Sequence, residues 1–254
     1  MSRTRESTNV QSPVQAHIFY NGNKGSFGRA VEGDNEMQEI PLPLKFVVLD
    51  DKGFRVSGET RGTTKRKIKS NLCHLDFNRL LKVTYSDNGE VIAEGEWNQV
   101  GEKVKNVGGK YTAILYVMLS LNGEQLLGAI HLRGRAVAEW FKFAKGRNVT
   151  GDFFYSVQKV EKTVGNDIDS YVPVFAEHAL PAEMGVKAGQ MDEALQAWLE
   201  QYFFSDIPAA TNSRSAGPSV EPEPPARNAD PFNVPVGPQY AQAAAPAGDD
   251  DLPF

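Results

Sequence analysis

Tyr111-Thr-Ala-Ile-Leu-Tyr-Val-Met-Leu-Ser-Leu121 is the stretch from which the fold is read. Successive side chains of a strand point to opposite faces. One set here is Tyr111, Ala113, Leu115, Val117 and Leu119, the other Ile114, Tyr116 and Met118, and both sets are almost wholly apolar. A strand apolar on both sides is a central strand covered on both sides, which makes Tyr116 a core residue. Asn122-Gly123 turns the chain into a further strand, Gln125 to Leu132. After Gly134 the period lengthens: Val137, Trp140, Phe141 and Ala144 fall at i, i+3, i+4 and i+7, which predicts an amphipathic helix over 134–146 that ends at Gly146. Asp152 to Val164 reads as strand again, and Tyr171 to Ala176 as a short edge strand.

Upstream, Val14 to Tyr20 is a strand that breaks at Asn21-Gly22-Asn23-Lys24-Gly25; no Gly-Lys-Ser/Thr follows, so this is a loop and not a phosphate cradle. Leu42 to Asp50 and Phe54 to Ser57 read as strands joined by a turn at Asp51-Lys52-Gly53. Residues 58–70 lose hydrophobic periodicity and carry Arg61, Lys65, Arg66, Lys67 and Lys69 against Glu59 alone, a basic loop. Leu80 to Tyr85 and Glu90 to Trp97 make a hairpin around Ser86-Asp87-Asn88-Gly89, since Asn-Gly favours the positive φ of a tight turn. Gly101 to Lys110 is a second basic loop with Lys103, Lys105 and Lys110. A second helix over 191–204 sets Leu195, Trp198, Leu199 and Tyr202 on one face. From Ile207 onward 10 of the 15 prolines fall in 48 residues among Ala, Ser and Gly, a composition that cannot offset its ordering entropy. The expected organisation is a disordered N-terminus over 1–13, a folded domain over 14–206, and a disordered linker and acidic tip over 207–254. The domain is mainly β with one or two helices. A helix inserted late among strands fits the five-stranded Greek-key barrel of the oligonucleotide/oligosaccharide-binding (OB) fold, here elaborated by extra strands.

Composition narrows the function. In 254 residues, 41% of them hydrophobic, no apolar run reaches the ~18 residues of a membrane-spanning helix, so no membrane partner is expected. A single cysteine, Cys73, excludes an internal disulfide, and the polar start lacks a secretory signal, so a cytoplasmic protein is expected. Four scattered histidines and the isolated Cys73-His74 pair predict no metal site and no cofactor. No nucleophile elbow or zinc-protease motif is present, and Glu94 and Glu96 read as a solvated strand face, so no catalytic residue and no enzyme activity are assigned.

The net charge of −5 divides unevenly. Residues 1–160 hold 23 Lys and Arg against 17 Asp and Glu; residues 161–206 hold 2 against 9, and residues 207–254 hold 2 against 6. A basic body with an acidic tail suits a nucleic-acid binder. Single-strand binding needs cations along the phosphates and aromatic faces for the bases. Arg61, Lys65, Arg66, Lys67, Lys69, Lys103, Lys105, Lys110, Arg133 and Arg135 supply cations, and Trp97 and Tyr111, which bracket the second basic loop, are the chosen stacking residues.

The chain closes on Asp249-Asp250-Asp251-Leu252-Pro253-Phe254. This resembles the tip of bacterial and phage single-stranded DNA-binding proteins, a run of acids before Ile/Leu-Pro-Phe. The resemblance implies protection of single-stranded DNA without sequence preference, and recruitment of replication, recombination and repair proteins through Asp249, Asp250, Asp251, Leu252, Pro253 and Phe254. It also implies competition between the tip and DNA for the basic groove. A phage-type member, in the host cytoplasm, fits the large domain. The bacterial barrel motifs find no match here, so only the tip carries over residue by residue, and a homo-oligomer is left open. The alternative is a non-enzymatic replication or recombination adaptor that binds duplex DNA or protein. The linker spans about 40 Å as a coil, enough to reach back across such a domain. Deleting residues 249–254 is therefore expected to raise DNA affinity at low salt and to abolish recovery of partner proteins in pull-downs, whereas Phe254→Ala abolishes recovery alone. Equal recovery by full-length and truncated protein would leave the tip a solubilising tail.

Overall fold

The computed structural model describes residues 11–30, 37–61, 63–163 and 170–204. The expected N-terminal disorder (apart from 11–13), the linker and the tip lie outside these residues. The described chain is mainly β. Its order is β1 (Ala16–Asn21), β2 (Ser26–Ala30), β3 (Met37–Ile40), β4 (Leu44–Glu59), β5 (Lys67–Ser70), β6 (Cys73–His74), β7 (Leu81–Tyr85), β8 (Val91–Gly95), α1 (Trp97–Asn106), β9 (Gly109–Leu121), β10 (Glu124–Arg133), α2 (Arg135–Ala144), β11 (Phe153–Thr163), β12 (Ser170–Ala179) and α3 (Ala182–Phe204).

β9 is central. It pairs antiparallel with β10 along its whole length, from Leu121 opposite Glu124 to Thr112 opposite Arg133, and with β4 on its other edge. β4 has three partners beyond β9: its start pairs with β11 at Leu44 to Phe46, its middle with β6 at Gly53 and Phe54, and its end with β5 at Ser57 to Glu59. β11 continues into β12, and β1 adds in parallel to the free edge of β10. The Tyr171 amide donates to the Gly22 carbonyl at 2.7 Å, tying the start of β12 to the β1–β2 turn. Twelve strands thus belong to one sheet, more than a five-stranded barrel holds.

The faces of β9 fill two cores. Ala113, Leu115, Val117 and Leu119 look inward with Phe46, Ile130, Tyr155 and Val157, and α2 plugs this interior with Trp140. Ile114, Tyr116 and Met118 look outward and are covered by Ala188, Leu195, Leu199 and Phe203 of α3. A third cluster continues the inward side into a lobe of β5, β7, β8 and α1, built on Phe54, Val56, Leu81, Val83 and Val104.

Five local readings are corrected. Asp51-Lys52-Gly53 is not a turn: β4 runs through it, with register shifts between Val48 and Asp50 and between Asp50 and Gly53. Bulges absorb the extra residues and bend the strand, and Asp50 is buried, taking hydrogen bonds from His74 Nε2 at 3.1 and 3.0 Å. The basic loop 58–70 ends as strand, with Lys69 opposite Ser57. Residues 97–106, expected as strand end and loop, are helix α1, because Val104 packs inward while Lys103 and Lys105 occupy the last turn, where cations suit the helix dipole. Ser26–Ala30 and Met37–Ile40, past the Gly-rich loop, form β2 and β3. α3 also starts nine residues before the expected 191.

Trp140 is 0% exposed and packs on Tyr155 and Phe175 at ring separations of 6.1 and 5.2 Å. Trp140→Ala is expected to lower unfolding free energy by about 3–5 kcal/mol in urea titrations. Leu75→Ala, at a side chain 64% exposed, should stay within about 0.5 kcal/mol of the parent.

Candidate nucleic-acid interface

Among the described residues α3 covers only part of the outward face of the sheet. α3 seals the row of Tyr116 and Met118, and Trp198 meets Tyr116 edge-on at 6.1 Å. Beyond the helix the same face carries cations in register. Arg55 lies opposite Thr112, and Thr112 opposite Arg133, so the two arginines flank β9. One step along, Lys69 lies opposite Ser57 and Ser57 opposite Lys110. The rows are joined by Ser57 Oγ and Thr112 Oγ1 at 3.2 Å. Glycines allow this register: a Cβ on Gly58 would lie 2.3 Å from the Gly108 carbonyl oxygen, and Gly108 itself has φ +102°, so β4 and β9 approach here only without side chains.

The charges of these rows are uncompensated. Arg55 Nε is buried without a hydrogen-bond partner. Among the described residues no carboxylate pairs with Arg55, Arg133, Lys69 or Lys110. Burial, and then the charge of Arg133, holds the Arg55 guanidinium below its ordinary range; Arg133, though its side chain is exposed, is lowered by partial desolvation. Two unit charges about 10 Å apart, two strand spacings, repel by roughly 1.5 kcal/mol at an effective dielectric near 20, less where solvent screens the exposed Arg133. An anion between them relieves both costs.

Beside the arginines stands an aromatic step. Phe19 lies opposite His131 across the β1–β10 pair, and their rings stack at 4.5 Å and 12°. His17 Nδ1 and His131 Nε2 are 3.1 Å apart, and His131 Nδ1 is buried without a partner. Desolvation, then Arg55, then His17 hold the His131 imidazole down to about 2, and desolvation followed by Arg55 lowers His17. From β1 to β5 the face spans five strands, about 19 Å.

Of the cations chosen from sequence, the sheet brings together Lys69, Lys110 and Arg133. Arg66 is already paired: it donates to Asp87 at 2.8 and 2.9 Å, reaches Glu90 at 3.5 Å and lies 3.6 Å over the Tyr85 ring. Arg61 and Lys65 are exposed between β4 and β5, and Lys67 lies opposite Glu59. Lys103 and Lys105 belong to α1, which packs on the inward side, away from these rows. Arg135 donates to Thr163 and Ser170 at 2.9 and 3.2 Å, anchoring α2 to the β11–β12 hairpin. Trp97 and Tyr111 also point inward. Their rings are 5.3 Å apart, Tyr111 stacks on Phe54, Trp97 packs over Gly101, and both border the lobe core. The six tip residues lie outside the described chain. Arg55, Phe19, His17 and His131 were not singled out by sequence. The available signal was alternation: Arg55 and Ser57 interleave with buried Phe54 and Val56, as His17 and Phe19 do with buried Ala16, Ile18 and Tyr20.

A cleft of about 490 Å³ on another part of the surface has the opposite character, with Asp50, Asp51, Asp76 and Asp192 in its lining. Burial, then Asp50, pushes the Asp51 carboxyl up. Lys52 and Arg147 also line the cleft, and among the described residues no three His, Cys, Asp or Glu side chains converge to hold a metal ion. No described helix is long and apolar enough to cross a membrane. No family model, curated protein or solved structure matches the chain.

Removing an uncompensated cation should separate binding from folding. Arg55→Met is expected to leave thermal stability unchanged or slightly raised while weakening oligo-dT binding by about 10- to 100-fold, the scale of one hydrogen bond to a charged group. Arg66→Met, whose partner carboxylates are in place, should weaken binding far less in the same anisotropy titration. The reverse ranking would move the interface to the 58–66 loop.

Proposed function

We propose that this chain is a non-enzymatic, sequence-nonspecific single-stranded DNA-binding protein. The observation that carries the proposal is the pair of adjoining cation rows, Arg55–Thr112–Arg133 and Lys69–Ser57–Lys110, uncompensated among the described residues and set beside the Phe19–His131 stack. A flexible phosphate backbone supplies the missing anions, and its bases supply faces for Phe19. Rigid duplex fits this arrangement less well, because its bases are stacked inside and no described helix projects from the face for a groove.

The strand order supports the same reading. β10–β9–β4–β11–β12, with β4 shared at one end and α2 entering between β10 and β11, resembles the strand order of an OB barrel with β9 and β10 in the place of strands 2 and 3, except that the outer edge of β10 pairs with β1 where the barrel would close. In that fold the face of strands 2 and 3 binds oligonucleotides and is flanked by the loop joining strands 1 and 2. Here that loop is the β5–α1 lobe, and the extra strands β1 to β3 extend the far edge. The acidic tip, by its resemblance, recruits replication, recombination and repair proteins to the coated strand. The cytoplasm, of the host for a phage protein, is the compartment where such strands arise.

Four phosphate contacts give an expected slope of about −2.8 for log K against log salt on single strands. Titrations with poly-dT and with a duplex of equal length test this: preference for poly-dT with a slope near that value supports the proposal. Equal or better duplex binding would favour the adaptor reading, and salt-independent binding would exclude the cation rows.

A further inference from the structure

The histidine pair adjoins the arginine row: His131 shares the outward face of β10 with Arg133, two residues on, and meets His17 of β1. His17 is exposed on β1 and its Nδ1 lies 3.1 Å from His131 Nε2, so one ring donates to the other; burial, then Arg55, lowers His17, and burial holds His131 down further. Resting on the function proposed above, we infer that a DNA phosphate held by Arg55 and Arg133 is also bound by a protonated His17, whose Nδ1–H donates to His131 Nε2 and whose Nε2–H donates to the phosphate. DNA binding at this face then takes up a proton.

The surroundings explain why the proton arrives with the ligand. Arg55 from β4 and Arg133 from β10 press positive charge on the pair, and Arg55 contributes to the lowering of both rings. From β9 come the buried Thr112 and Ile114 and the Tyr116 phenol, whose pKa burial raises. Asp50 shares a row with His17 through Tyr116 and Ala129, but lies three strands away and accepts from His74. Glu39 of β3 shares a row with Phe19 and His131 through Gly28, about 14 Å from His131 by strand spacing. Tyr202 of α3 adds to the raising of the Tyr116 phenol. Among the described residues, therefore, nothing anionic adjoins the histidines until a phosphate is bound. That phosphate neutralises the arginines and favours imidazolium, so the bound state holds more protons than the free state and affinity rises as pH falls.

The test uses the full-length protein and a fluorescent oligo-dT, titrated from about pH 8 to pH 6 at fixed ionic strength, the range in which histidine responds to its surroundings. Thymine has no titrating group in that range. The parent protein is expected to bind about tenfold more tightly at pH 6 than at pH 8. His17→Gln should bind with the same affinity at both pH values, within about twofold. His131→Gln, which retains an amide acceptor, should keep a weaker response. A pH-independent parent, or an equal gain in His17→Gln, would overturn the proton link while leaving DNA binding intact. Failure to bind oligo-dT at any pH would overturn both the link and the proposed function.

Discussion

The pairing of β4 with β9 is the constraint on which the rest of the molecule depends. β4 spans sixteen residues and serves β9 throughout, β11 at its start and β5 at its end. One face of this pair nucleates the interior with α2, and the other receives α3. A slip of one residue would exchange the faces and bury Arg55 and Ser57 in place of Phe54 and Val56. The close backbone contact at Gly58, Gly108 and Gly109 pins the register at one end, and the two bulges around Asp50 adjust it in the middle.

Once that register is set, the site follows from incomplete coverage. α3 crosses the outward face with Leu195, Leu199 and Phe203 and stops at Phe204, while the sheet continues beyond it. What remains open is neither apolar nor balanced in charge. Buried or half-buried cations without partners cost free energy, and a fold retains them most readily where a ligand completes the arrangement.

Much of this architecture was legible. Tyr111–Leu121 could be placed at the centre because both of its faces are apolar, and Asn88-Gly89 and the Val137–Ala144 period located a hairpin and a helix. The misreadings share a physical cause. Asp51-Lys52-Gly53 looks like a turn because bulges use the same polar and glycine residues. Helix α1 hid behind Gly101, Gly108 and Gly109, although Trp97, Val100 and Val104 carry its period. Lys69, Lys110 and Arg133 were singled out by charge alone. Arg55 and the histidines were not, because their partners are set by pairings across 57 or more residues, a distance over which local pattern has no reach.

The central claim is that single-stranded DNA lies across the outward face of β1, β10, β9, β4 and β5. Ultraviolet cross-linking of oligo-dT to the full-length protein, with the attachment sites read by peptide mass spectrometry, tests it most directly. Cross-links at Phe19 and His131, with none at Trp97 or Tyr111, are the predicted result. Attachment concentrated at Trp97 and Tyr111, on the inward side of the lobe, would contradict it.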